Sequence, residues 1–118
     1  EKLTSGVVRD TQSDLEWYAG PDKSTGWDDA KIWVTGLKID AGGWRMPTRV
    51  ELKGLYQKGA GSRNMTSLLE TTGWCVWSVE TSGQQGAFFL DFGNGLEDRV
   101  DRSDIPINKR GFAVRSRR

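Results

Sequence analysis

The pattern of apolar and polar positions divides the chain into a short hairpin, two helices and a series of strands that runs to the end. Gly6-Val7-Val8-Arg9-Asp10 and Leu15-Glu16-Trp17-Tyr18 flank the polar stretch Thr11–Asp14, the pattern of two strands around a turn. Gly20-Pro21-Asp22 breaks the hairpin. Trp27, Ala30, Trp33, Val34 and Leu37 then recur at spacings of three and four, so a helix through about Leu37 turns them to one face. Thr25 and Asp28 stand where a capping box would open it.

A second box, Thr48 with Glu51, opens the next helix. Pro47 keeps Met46 out of the helical region. Val50, Leu52, Leu55 and Tyr56 form its apolar stripe, and Gly59 with Gly61 ends it. Met65, Leu68 and Leu69 supply one more helical turn. Gly73–Ser78 reads as a central strand and Ala87–Phe92 as a second, with turns at Ser82–Gly86 and Gly93–Gly95. A polar, charge-mixed segment from Leu96 to Arg110 precedes a closing strand, Gly111–Arg115. Hairpin, helix, helix, then strands is the order of an α+β fold, two helices packed on a small antiparallel sheet.

Length and composition narrow the function. A chain of 118 residues makes one domain, 1–118. Lys and Arg number 17 against 16 Asp and Glu, so no net field draws it to nucleic acid or a membrane surface. With no His and a single cysteine, Cys75, His-based triads, His metal sites, cysteine zinc sites and an intrachain disulfide are all excluded. Cys75 reads as a small buried residue, and no cofactor is expected. No stretch is long enough to span a membrane. Beginning at Glu1 rather than Met, the chain is expected to be the C-terminal domain of a longer protein, its oligomeric state open.

The runs Gly6-Val-Val-Arg-Asp-Thr, Leu15-Glu-Trp, Trp27-Asp-Asp-Ala, Gly43-Trp-Arg-Met-Pro-Thr, Trp74-x-Val-Trp-Ser and Phe112-Ala-Val-Arg-Ser-Arg together resemble a bacterial family of C-type lectin-like fold. That family occurs as the C-terminal domain of a collagen-like adhesin and among variable proteins of diversity-generating retroelements. The resemblance covers Gly6 to Arg118. It implies that the N- and C-terminal strands lie together in one sheet, that two helices flank it, and that ligand meets a face of the late strands and loops, in a secreted or cell-surface setting. The Glu-Pro-Asn or Gln-Pro-Asp and Trp-Asn-Asp motifs of calcium-dependent sugar binding are absent. Formylglycine-generating enzymes are similar around Trp44-Arg45-Met46-Pro47-Thr48, but their cysteine pair is missing.

Alternation along Ala87–Phe92 assigns Phe88, Leu90 and Phe92 to the core and leaves Phe89 and Asp91 outward. The opposite reading has the following loop cover Phe89. In retroelement-diversified relatives the late region is the varied one, and the resemblance carries this onto Phe89, Asp91, Asn94, Leu96, Asp98, Arg99, Asp101, Ser103, Asp104 and Ile105. The expected function is a non-catalytic module recognising a protein or cell-surface ligand through these residues. The alternative is an adhesin domain that binds sulfated or anionic glycans through Lys109, Arg110, Arg115, Arg117 and Arg118. Asp98, Asp101 and Asp104 have a spacing that could hold a cation, with Arg99 and Arg102 interleaved to neutralise them. Asp28 and Asp29 suit a helix start. An enzyme would have to work with carboxylates such as Glu80 and Asp91.

Overall fold

The computed structural model describes residues 1–116. Its elements in chain order are β1 (Val8–Arg9), β2 (Leu15–Ala19), α1 (Trp27–Thr35), a short 3-10 turn (Ile39–Ala41), α2 (Arg49–Leu55), β3 (Cys75–Ser82), β4 (Gly86–Asp91), β5 (Leu96–Asp101), β6 (Lys109–Arg110) and β7 (Phe112–Ser116). They form two sheets, β1-β2-β7 and β5-β4-β3-β6. The first pairs the N-terminal hairpin antiparallel with the last strand, from Leu15 opposite Ser116 to Ala19 opposite Phe112. The second is mixed rather than wholly antiparallel, because β6 runs parallel to β3.

The four-stranded sheet is covered on both faces. Cys75, Trp77, Ala87 and Phe89 join the core on the α1 side with Trp27, Ala30 and Val34. Val76, Leu90 and Phe92 join the core on the α2 side with Leu52 and Leu55. A sheet buried on both faces takes near-continuous apolar strands instead of alternating ones, which explains Cys75-Val76-Trp77 and Ala87-Phe88-Phe89-Leu90. Indoles brace the packing: Trp27 Nε1 donates to the Ser78 carbonyl at 2.8 Å and Trp77 Nε1 to the Thr25 carbonyl at 2.7 Å.

Both helices fall where the periodicity puts them, with corrections at their ends. Gly26, not Thr25, caps α1, and no side chain accepts its first amides. Thr25 sits one residue too early, and its hydroxyl turns back to the Lys23 carbonyl. The α2 capping box is complete: Glu51 N donates to Thr48 Oγ1 at 3.1 Å, and Thr48 N to Glu51 Oε1 at 2.9 Å. Thr48→Ala should therefore lower stability by about 1 kcal/mol, readable as a shift in the urea midpoint at unchanged slope. Leu52 and Leu55 are buried, but Val50 is 78% exposed on the outer side of α2. The helix stops at Tyr56, before the glycines. The loop that follows has no helical turn; Met65 and Leu69 are buried while Leu68 faces out.

Two charged clusters tie distant segments together. Glu16, buried in β2, accepts from Arg115 Nε and Arg9 Nε, each at 2.9 Å. Arg115 also donates to the Asp40 and Gly42 carbonyls and lies 4.2 Å over the Trp44 ring. Asp22 accepts from Thr72 N at 2.8 Å, Thr72 Oγ1 at 2.9 Å and Arg110 Nε at 3.0 Å. The Thr72 amide holds its carboxyl down, with burial opposing and Arg110 assisting, at about 2 against an ordinary 3.8. A depressed folded-state value means that this stabilisation is complete above the unfolded value and is lost as pH falls through the folded one. The melting temperature should thus drop between about pH 4 and pH 2, and Asp22→Asn should flatten that part of the profile. An unchanged profile in the variant would show that Asp22 does not govern the acid limb.

Candidate functional site

The exposed rim of the four-stranded sheet is β5, which pairs with β4 along one side only. Within the polar, charge-mixed segment, Leu96–Asp101 is a strand, six residues long, whose charged side chains suit a sheet edge that discourages unwanted strand pairing. Its register sets Leu96 opposite Asp91, Asp98 opposite Phe89 and Val100 opposite Ala87. Those residues share the α1 face of the sheet, and Val100 packs into that core. Glu97, Arg99 and Asp101 point to the α2 side by alternation.

This geometry splits the ten residues carried over from the resemblance. Phe89 does not face outward: it is 6% exposed and stands edge-on to Trp77 with ring centroids 5.8 Å apart. Lys109 covers its ring at 4.6 Å. The residue on the other face, Phe88, is half-buried under the Arg49 guanidinium at 4.1 Å. Both sides of β4 are covered, so alternation along it does not mark an outward face. Asp91, half-buried, accepts from Gly93 N at 2.8 Å, and its carbonyl accepts from Gly95 N at 2.7 Å. Asn94 Oδ1 accepts from Leu96 N at 2.9 Å. Gly95 has φ +76°, and a Cβ there would come within 2.7 Å of the Tyr56 ring, so the turn into β5 requires glycine.

The remaining positions present side chains to solvent. Leu96 is 63% exposed and Ile105 79% exposed. Asp98 accepts from the Arg99 amide at 2.7 Å, and Arg99 Nη1 donates to Ser82 Oγ at 2.8 Å. Asp101 Oδ1 accepts from Ser103 N at 2.9 Å and from its hydroxyl at 2.7 Å, and its carbonyl accepts from Asp104 N. The Ser103 amide thereby holds the Asp101 carboxyl low. Asp101 is committed to its turn, and among the described residues no group of three or more His, Cys, Asp or Glu is placed to hold a metal. Leu96 and Asp98 stand on one face of β5, Arg99 and Asp101 on the other, with Asn94 and Ser103–Ile105 in the turns at its two ends.

Sequence reasoning passed over two neighbours. Ile107, exposed beside Ile105, brackets Pro106; an apolar pair inside a polar segment was the available signal. Glu97 lies 2.7 Å from Lys53 Nζ and 3.4 Å from Arg49 Nη1, and Lys53 keeps its carboxyl low. It fastens β5 to α2.

The other candidate chemistries are dispersed. Arg110 and Arg115 are buried in the Asp22 and Glu16 clusters and Lys109 lies over aromatic rings, so these three do not make one exposed basic patch. Arg117 and Arg118 lie outside the described residues. Glu80 accepts from Arg49 N at 2.9 Å at the start of α2. Asp91 pairs opposite Cys75, at the other end of β3, about 16 Å away at strand rise. Burial and the Asp91 charge push the Cys75 thiol up to about 11, which keeps it protonated and unreactive. No helix among the described residues is long and apolar enough to cross a membrane.

Comparison with curated proteins returns no match. The model of the Lcl C-terminal domain family matches residues 6–115, nearly the whole length over which the hairpin, helices and strands are built. With its terminal strands joined in one sheet and two helices flanking a second, the chain belongs to the Lcl C-terminal domain family and has a C-type lectin-like fold.

Proposed function

We propose that this domain is a non-catalytic ligand-binding module that meets a protein or cell-surface ligand with β5 and the turns at its ends. The observation that carries this reading is a division of labour at the rim. Asp91, Asn94, Asp98 and Asp101 fix the backbone through side-chain bonds to nearby amides, while Leu96, Arg99, Ser103, Asp104 and Ile105 are exposed without such a bond to a backbone amide. A rigid frame presenting side chains free of packing duty loses little entropy on binding. It also tolerates substitution, the property required of a diversity-generating retroelement variable protein.

The test uses fluorescently labelled domain on intact bacterial and animal cells. A Leu96→Glu, Arg99→Glu, Ile105→Glu triple variant should lose binding by at least about tenfold. Its melting temperature should move by only a few degrees, since exposed positions carry little stability. Undiminished binding by the triple variant would sink the reading. Retention of wild type on a heparin column that falls steeply with salt would instead favour the anionic-glycan alternative. The burial of Arg110 and Arg115 weighs against that outcome.

A further inference from the structure

A cavity of about 370 Å³ opens between the Pro21–Thr25 segment and α1, sharing no residue with the β5 rim. Its lining includes Lys23, Ser24, Asp29, Ala30, Trp33 and Gly111. Small residues meet closely at its edge: a Cβ on Gly111 would come within 2.7 Å of the Ala30 Cβ. Trp33, half-buried, is stacked on Tyr18 with ring centroids 6.3 Å apart and planes 18° apart, so the indole is held in a fixed plane. Asp29 and Trp33 are four residues apart on α1, which sets the carboxylate one turn above the indole on the same side of the helix.

The two charged side chains that line this cavity are unengaged. Asp28 meets Arg102 and Lys31 lies over Trp27. Among the described residues, by contrast, neither the Lys23 ammonium nor the Asp29 carboxylate has an ion-pair or hydrogen-bond partner, and they do not pair with each other. An indole beside a carboxylate is the combination that recognises an organic cation. An ammonium and a hydroxyl on the facing segment suit an anionic group.

We propose that this cavity binds a small zwitterion, its ammonium end held by Trp33 and Asp29 and its anionic end by Lys23 and Ser24. The site is independent of the β5 reading. Phosphocholine is a suitable probe, titrated into the 15N-labelled domain. The Trp33 indole N–H and the amides of residues 23–30 should shift saturably with a Kd of roughly millimolar order, as expected for a ligand of few atoms. Choline alone and inorganic phosphate alone should bind about tenfold more weakly, and Asp29→Asn and Lys23→Gln should each weaken phosphocholine by a similar factor. Both positions are exposed, so the variants should fold. Binding to phosphatidylcholine vesicles as well as to free phosphocholine would identify a lipid headgroup as the source, and binding to the free compound only would identify a soluble one. The β5 triple variant should bind phosphocholine as wild type does. The proposal is overturned by absent shifts, by shifts unchanged in both charge variants, or by equal shifts with glucose.

Discussion

Glu16→Gln should lower the unfolding free energy by about 3–5 kcal/mol, the range for removing one partner of a buried charge cluster. Burial alone pushes the Glu16 carboxyl up, yet the hydrogen bonds and charges of Arg115 and Arg9 more than offset it, and the group stays ionised below its ordinary range. The amide would keep the shape and one acceptor while leaving the Arg115 guanidinium, only 7% exposed in its side chain, without a counter-charge. Such an orphaned cation is the costly product, so Glu16→Leu combined with Arg115→Leu should be less damaging than the sum of the two single changes. The double variant still removes the donor to the Asp40 carbonyl, so full recovery is not expected. Urea unfolding followed by tryptophan fluorescence reads all four proteins. A loss under about 1 kcal/mol for Glu16→Gln would mean that water reaches the cluster.

Phe89→Ala should cost about 3–5 kcal/mol, whereas Leu96→Ala, at a neighbouring position on the same face, should stay within about 0.5 kcal/mol. Phe89 packs edge-on to Trp77 beneath Lys109, and its removal leaves a hole bounded by β3, which is too constrained to collapse. The pair of measurements separates scaffold from contact surface directly. Equal effects at both positions would contradict the division between a packed sheet interior and a substitutable rim.

The elements were legible where local physics decides them. Thr48 and Glu51 announce α2 because both halves of a capping box lie within four residues of sequence. Trp27, Ala30 and Val34 announce α1 because its buried face needs no knowledge of what covers it. Phe89 was misread for the reason that period two cannot say whether one face of a strand or both are covered. That depends on Lys109 and Trp77, which the topology supplies from elsewhere. The strand at Leu96–Asp101 was hidden because an edge takes its order from the hydrogen bonds of β4 and not from apolar residues of its own. Arg110 and Arg115 looked like a basic tail since their partners, Asp22 and Glu16, stand 88 and 99 residues earlier. Of the candidate site, the polar, charge-mixed character of the segment around β5 is legible in the sequence, while the distribution of its positions over two faces of a strand is not.

The pairing of β2 with β7 also bears on how the protein is made. During synthesis Leu15–Ala19 leaves the ribosome long before Phe112–Ser116 exists, so Trp17 and the ionised Glu16 have only β1 and Arg9 beside them until almost the entire chain is made. Closing so large a loop is slow, and productive folding becomes a late, concerted event that a nascent-chain arrest before residue 112 should block.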